Sequence, residues 1–199
     1  MARNARYCTQ FRRRREGKTD YKARRALIVS GKSRLVTRVS IGNVIVQVIS
    51  AKPKGDEVLV SAHSRELLKY GWKAPRGNVP AAYLTGYLLG LKAKARGVEE
   101  VIFDIGLYPP TKGAKIFAVL KGVIDAKVNV PHSAEKLPDE KRLKGEHIAS
   151  YAQKLVPQPE EYQSKFSKYL QQKVKPEDLP KHLAQVKTDI MTAFKNRGK

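Results

Sequence analysis

Cysteine is nearly missing from this chain: Cys8 stands alone among 199 residues. No intramolecular disulfide and no multi-cysteine metal site can form. Acidic residues are scarce too, with 18 Asp+Glu facing 40 Lys+Arg for a formal net charge of +22. Long apolar runs are absent. The longest, 81–91, is about half of what a membrane span needs and contains Thr85. Residues 1–15 hold no apolar stretch suited to a signal peptide. The four histidines, His63, His132, His147 and His182, show no i,i+4 pair and have no cysteine nearby, which argues against a metal site. These absences point to a cytoplasmic, reducing home. No cofactor is expected.

The chain is nonetheless built to fold. Its hydrophobic content is 41%, and a chain of this length buries about 70% of its unfolded surface. The charge excess implies a polyanionic partner, nucleic acid before an anionic membrane. It is also uneven. Residues 1–38 carry thirteen Lys/Arg and two acids, and the remaining 161 carry 27 and 16, so each part contributes +11. Half of the excess sits in the first fifth of the chain. The organisation read from this is a basic N-terminal arm over 1–20, an α/β core over 21–152 and a C-terminal helical extension over 153–199.

Periodicity gives the core its expected elements. A helix is expected over Asp20–Ser30, with Thr19 as N-cap and Gly31 as its stop. Strands follow at Arg34–Ile41 and Val44–Ala51, joined at Gly42-Asn43, and then at Glu57–Ala62. The run Val44–Ile49 is apolar at nearly every position, which predicts helices on both faces of the sheet. Ser64 should cap a short helix, and Asn78 a long one running to about Arg96. That long helix carries a stripe of Ala82, Gly86, Gly90 and Ala93 suited to close packing. Val101–Ile105, a helix over 113–127 and a short strand at Asn129–Pro131 complete a mixed five-stranded sheet. The order β-β-β-α-β-α-β is that of a ribonuclease-H-like arrangement. One helix is expected over Asp139–Leu155. Two more carry Tyr162, Phe166 and Tyr169, then Leu179, Leu183, Val186, Ile190 and Phe194.

Enzyme signals are weak. Residues 26–33 end in Gly31-Lys32-Ser33 like a loose phosphate-binding loop, but a strand, not a helix, is expected to follow. A two-metal nuclease needs converging carboxylates, and the sheet offers only Glu57 and Asp104, with Asp125 on a helix. Asp104 has a simpler reading as the residue that holds the Ile105-Gly106 turn.

The basic segments speak more clearly. Arg12, Arg13, Arg14, Arg15 and Lys18, then Tyr21, Lys22, Arg24 and Arg25, interleave cations with an aromatic ring, and Arg34 continues the series into the first strand. Guanidinium forks grip phosphate, and Tyr21 or Phe11 can stack on unpaired bases. A second candidate is the loop holding Trp72, Lys73 and Arg76 before Asn78, where Trp72 is either a core anchor or an RNA contact. Lys112 and Lys115 flank a helix start, where free amides and two cations favour phosphate.

Longer motifs then become specific. Residues 55–64 (GDEVLVSAHS), 70–72 (YGW), 77–86 (GNVPAAYLTG), 104–113 (DIGLYPPTKG), 120–125 (LKGVID) and 138–147 (PDEKRLKGEH) appear in order. Together they resemble the archaeal-type members of the large-subunit ribosomal protein L-eighteen family, across roughly residues 5–150. The resemblance implies a non-catalytic protein that binds 5S rRNA and helps dock it at the central protuberance. It implies contact with the large rRNA and with ribosomal protein L-five, and no membrane. The family's basic arm maps onto Arg12–Arg25.

Overall fold

The computed structural model describes residues 4–195. The arm begins with α1 (Arg12–Arg15), a single turn of four arginines with no buried residue. Helix α2 (Tyr21–Val29) follows. Its cap is Asp20, not the expected Thr19: the carboxylate accepts from the amides of Lys22 and Ala23 at 2.9 and 3.2 Å. A carboxylate there also suits the helix dipole. The Thr19 hydroxyl instead accepts from Arg13 Nε at 2.8 Å.

A mixed sheet forms the centre, in the order β3-β2-β1-β4. Strands β1 (Arg34–Val39), β2 (Val44–Lys52) and β3 (Gly55–His63) make an antiparallel meander, and β4 (Ile102–Asp104) runs parallel to β1. The tip of the first hairpin lies one residue earlier than expected. Ser40 and Asn43 pair, with the Ser40 amide donating to the Asn43 carbonyl at 2.9 Å, so the tip is Ile41-Gly42. The sheet has four strands, not five. At 129–131 a single bridge joins Asn129 to Glu100. Pro131 has no N–H to extend that ladder, and Val130 is buried as an ordinary core residue.

The two faces of the sheet differ. Leu35, Val44, Val46, Val48 and Val60 are buried against α3 (Val79–Ala95) and α4 (Lys115–Asp125). Asn78 caps α3 as expected, accepting from the Ala81 amide at 2.9 Å. The small-residue stripe brings α3 and α4 together: a Cβ on Gly86 would run into the Val119 carbonyl, and one on Gly122 into the Tyr83 carbonyl. The opposite face carries Arg34, Val36, Arg38, Ile45 and Gln47. Helix α2 meets that face yet buries no residue fully, so the coverage expected on both faces is lopsided. The free edge of β3 is sealed by α3, where Lys92 Nζ donates to the Ser61 carbonyl at 3.0 Å and Arg96 donates to that of Leu59.

Between β3 and α3 lies a 3-10 helix, Ser64–Tyr70, capped by His63 and Glu66. Ser64 is not the cap. Its buried hydroxyl accepts from the Val44 amide at 3.1 Å and ties the two hairpins together.

The helix expected over 139–155 is two helices, α5 (Glu140–Lys144) and α6 (Glu146–Leu155), split at Gly145 with φ 83°. A Cβ at Gly145 would lie 2.8 Å from Leu179 Cδ2 and 3.0 Å from Pro80 Cγ, so the break admits close packing. Helices α7 (Pro159–Gln171) and α8 (Leu179–Lys195) complete the described residues. Leu179, Leu183, Val186 and Ile190 bury α8 against the core. Lys187 Nζ donates to Tyr83 Oη at 2.6 Å and lies 5.1 Å from the centroids of the Tyr83 and Tyr87 rings. Tyr83 Oη in turn donates to Asp125 at 2.7 Å. Burial first, and then Asp125, push the Tyr83 phenol far above its ordinary range, so it stays a neutral donor.

Candidate nucleic-acid interface

A ladder of alternating charge fastens the arm to the sheet. Arg24 on α2 grips Asp56 on β3 with two bonds of 2.9 and 2.8 Å. Arg34 on β1 reaches the same Asp56 at 2.8 Å, and Asp104 on β4 at 2.7 Å. Asp104 also accepts from the Gly106 amide at 2.9 Å, which bears out its reading as a turn-holding residue. Burial pushes the Asp56 carboxyl up, but the guanidinium groups of Arg24 and Arg34 together outweigh it and hold the carboxyl below its usual range.

The ladder sorts the candidate cations. Arg34 is 3% exposed and pairs with Asp104 and Asp56 through its two terminal nitrogens, so it is a structural arginine buried within the fold. Arg24 is half-buried and holds the arm down. The side chains of Arg12, Arg13, Arg14, Arg15, Lys18, Lys22 and Arg25 all face solvent. Arg12 and Lys18 share Glu16, each at 2.8 Å. Tyr21 contacts Phe11, with ring centroids 5.0 Å apart, and Phe11 stays exposed.

The second candidate loop divides in the same way. Trp72 is fully buried and stacks on His182, centroids 5.1 Å and planes 21° apart, so it is the core anchor and has no face for RNA. Asn78 is half-buried and engaged within the fold: its side-chain carbonyl caps α3 and its amide donates to Tyr169 Oη at 3.2 Å. Lys73 keeps an exposed side chain, while its backbone amide donates to His182 Nε2 at 3.1 Å. Arg76 is half-buried near His63, whose imidazole is held below its usual range by burial and then by Arg65 and Arg76. Lys112 is exposed and Lys115 half-buried at the start of α4, where the N-cap Ala114 offers no side-chain cap.

The structure adds three residues that sequence reasoning passed over. Arg38 is exposed on the same sheet face as Arg34, four residues on, and the strand's period of two would have found it. Ile41 is 97% exposed at the hairpin tip. Tyr108 lies in the loop after β4, with its hydroxyl clamped to the Val39 backbone at 3.0 Å on both N and O.

Residues 5–100 and 91–133 match the model of the family described as ribosomal large subunit proteins 60S L5 and 50S L18. The chain belongs to this L5/L18 family. It is therefore a protein of the large ribosomal subunit, a ribonucleoprotein component working in translation. The matched residues of this L5/L18 protein take in α1 to α4 and the whole sheet, and with them the arm, the charge ladder and the exposed cations above. Among the described residues no helix is long and apolar enough to cross a membrane.

Proposed function

We propose that this L5/L18-family protein binds 5S rRNA and helps dock it onto the large rRNA at the central protuberance, beside ribosomal protein L-five. The observation that carries this reading is the fastened arm. Arg24 is spent on holding α2 to the sheet, while the side chains of Arg12–Arg15, Lys22, Arg25 and Arg38 stay exposed to solvent and give this part of the molecule a strong cationic excess. Guanidinium forks suit phosphate, and an ordered arm loses less entropy on binding than a disordered one. The role is structural and non-catalytic. Of the three carboxylates a nuclease could draw on here, Asp104 is paired with Arg34, Glu57 with Lys52 and Asp125 with Lys121. The mixed order β3-β2-β1-β4 is compatible with the ribonuclease-H-like arrangement expected from the sequence, without the expected fifth strand.

The test is a filter-binding titration with 5S rRNA against a tRNA competitor, across salt concentrations. Binding that resists tRNA supports a shaped RNA site. Binding that tRNA removes equally well, with a steep salt slope, overturns the proposal in favour of non-specific polyanion attraction.

A further inference from the structure

The loop between β4 and α4 crosses the upper end of β1, and Tyr108 divides two cavities there. On one side is a cleft of about 430 Å³ between the arm and the open sheet face, with Arg13, Lys18, Arg24 and Arg38 in its walls. On the other is a groove of about 450 Å³ formed by Val39, Ile41, Pro109 and Ile116, with Lys115 among its lining residues. Tyr108 lines both. Its hydroxyl both accepts from and donates to the Val39 backbone, so the ring is fixed in place and 38% exposed. The hairpin tip that presents Ile41 is fixed as well, because Ser40 Oγ donates to the Asn43 carbonyl at 2.9 Å and accepts from its amide at 3.0 Å. A 97%-exposed isoleucine beside a rigid aromatic ring is an apolar surface that calls for a ligand.

The charges around it say which ligand. The cleft floor holds an unpaired polar atom, Arg34 Nε, in a side chain only 3% exposed. Of the three carboxylates in its wall, Asp56 and Asp104 are committed to arginines and Asp20 accepts from the Lys22 and Ala23 amides, while Arg38 has no ion pair among the described residues. An anionic group is therefore drawn to one side of Tyr108 and a flat apolar group to the other. That combination is an unpaired nucleotide. We propose that Tyr108 is a stacking platform for one unpaired nucleotide of the bound RNA, with its base in the Ile41–Pro109 groove and its backbone phosphate on the Arg38 side. The inference rests on the RNA-binding reading above and deepens it by naming a site that reads single-stranded nucleotides instead of duplex.

The test uses the full chain and two RNA probes of equal phosphate number, a single strand containing 2-aminopurine and a blunt duplex. Intact 5S rRNA serves as reference. Wild-type protein is expected to quench 2-aminopurine and to prefer the single strand. Tyr108→Leu and Ile41→Ser each lower single-strand affinity by about five- to hundred-fold, with the salt slope unchanged, because a stacking contact is lost and no phosphate contact is. Tyr108→Phe keeps the ring and retains most of the quench. Ile41 lies at an exposed tip, so Ile41→Ser remains informative even if Tyr108→Leu unfolds. Wild-type-like quench and affinity in Ile41→Ser and in folded Tyr108→Leu overturn the stacking site while 5S rRNA binding stands. Failure of the wild type to bind 5S rRNA overturns both proposals. Loss of capture on anionic phospholipid vesicles in the two variants, with RNA binding intact, overturns the nucleotide in favour of a lipid.

Discussion

The Trp72 indole stacks on the His182 imidazole, and this contact joins the loop before α3 to the extension helix α8. His182 Nε2 also accepts from the Lys73 amide, so the ring must be neutral on that nitrogen. Burial first, and then Lys73, hold its pKa below the usual histidine value. The sign follows directly. A base whose folded pKa is depressed contributes stability above its unfolded pKa of about 6.5 and loses it as pH falls towards the folded value. His63 and His147 are lowered in the same direction. Thermal midpoints should therefore fall as pH drops from 7 towards 5, and His182→Gln should flatten part of that dependence. A profile unchanged by the substitution would remove His182 from the account.

Asp56 couples the arm to the sheet through two arginines, one of them nearly fully buried. Asp56→Asn should cost about 1–3 kcal/mol, because charge-assisted bonds are lost and Arg34 keeps only Asp104. It should also free α2, so that trypsin cuts after Arg24 and Arg25 faster than in the wild type. Since the Asp56 carboxyl is held below its usual pKa, the docking it supports is present at neutral pH and is lost only as pH falls through that depressed value, below about 3.9. Unchanged cleavage kinetics would show that the arm is held by something else.

Helix crossing tests the core. Gly86→Ala or Gly122→Ala places a Cβ against the backbone of the facing helix. Overpacking of this kind costs about 1–3 kcal/mol. Gly42→Ala, with open space around it, should leave the melting temperature nearly unchanged. Equal midpoints for all three would contradict the close α3–α4 contact.

Much of this was legible in the residues. Asn78 before Val79-Pro80 and Gly97 after Arg96 marked the ends of α3, because an acceptor at one end and a left-handed residue at the other leave little choice. The small-residue stripe announced a close approach, though not whether a sheet or a helix would make it; the structure places α4 there. Other features depended on partners distant in sequence. Nothing near Trp72 says that His182, more than a hundred residues later, covers it. Arg34 looks like one more basic residue until Asp56 and Asp104 arrive from β3 and β4. Gly145 broke an otherwise convincing helix because Leu179 and Pro80 fill the space beside it. Composition located the cationic arm, but only the fold separates cations that hold the structure from cations that face outward.

That separation predicts an asymmetry in RNA binding. Reversing charge at Arg12–Arg15 should weaken binding to 5S rRNA more than the same change at Lys165, Lys168 and Lys173, which lie on or just after α7. If all four arginines meet phosphates, the salt slope should also shrink by roughly three units. Equal losses would place the principal footprint outside the arm.

The most direct measurement is ultraviolet crosslinking of the full chain to 5S rRNA, with the crosslinked peptides identified by mass spectrometry. The account predicts crosslinks in the arm around Phe11–Arg25 and at the Arg38–Ile41 and Tyr108 segments, with none at the buried Trp72. Crosslinks confined to α7 and α8, or a crosslink at Trp72, would contradict it.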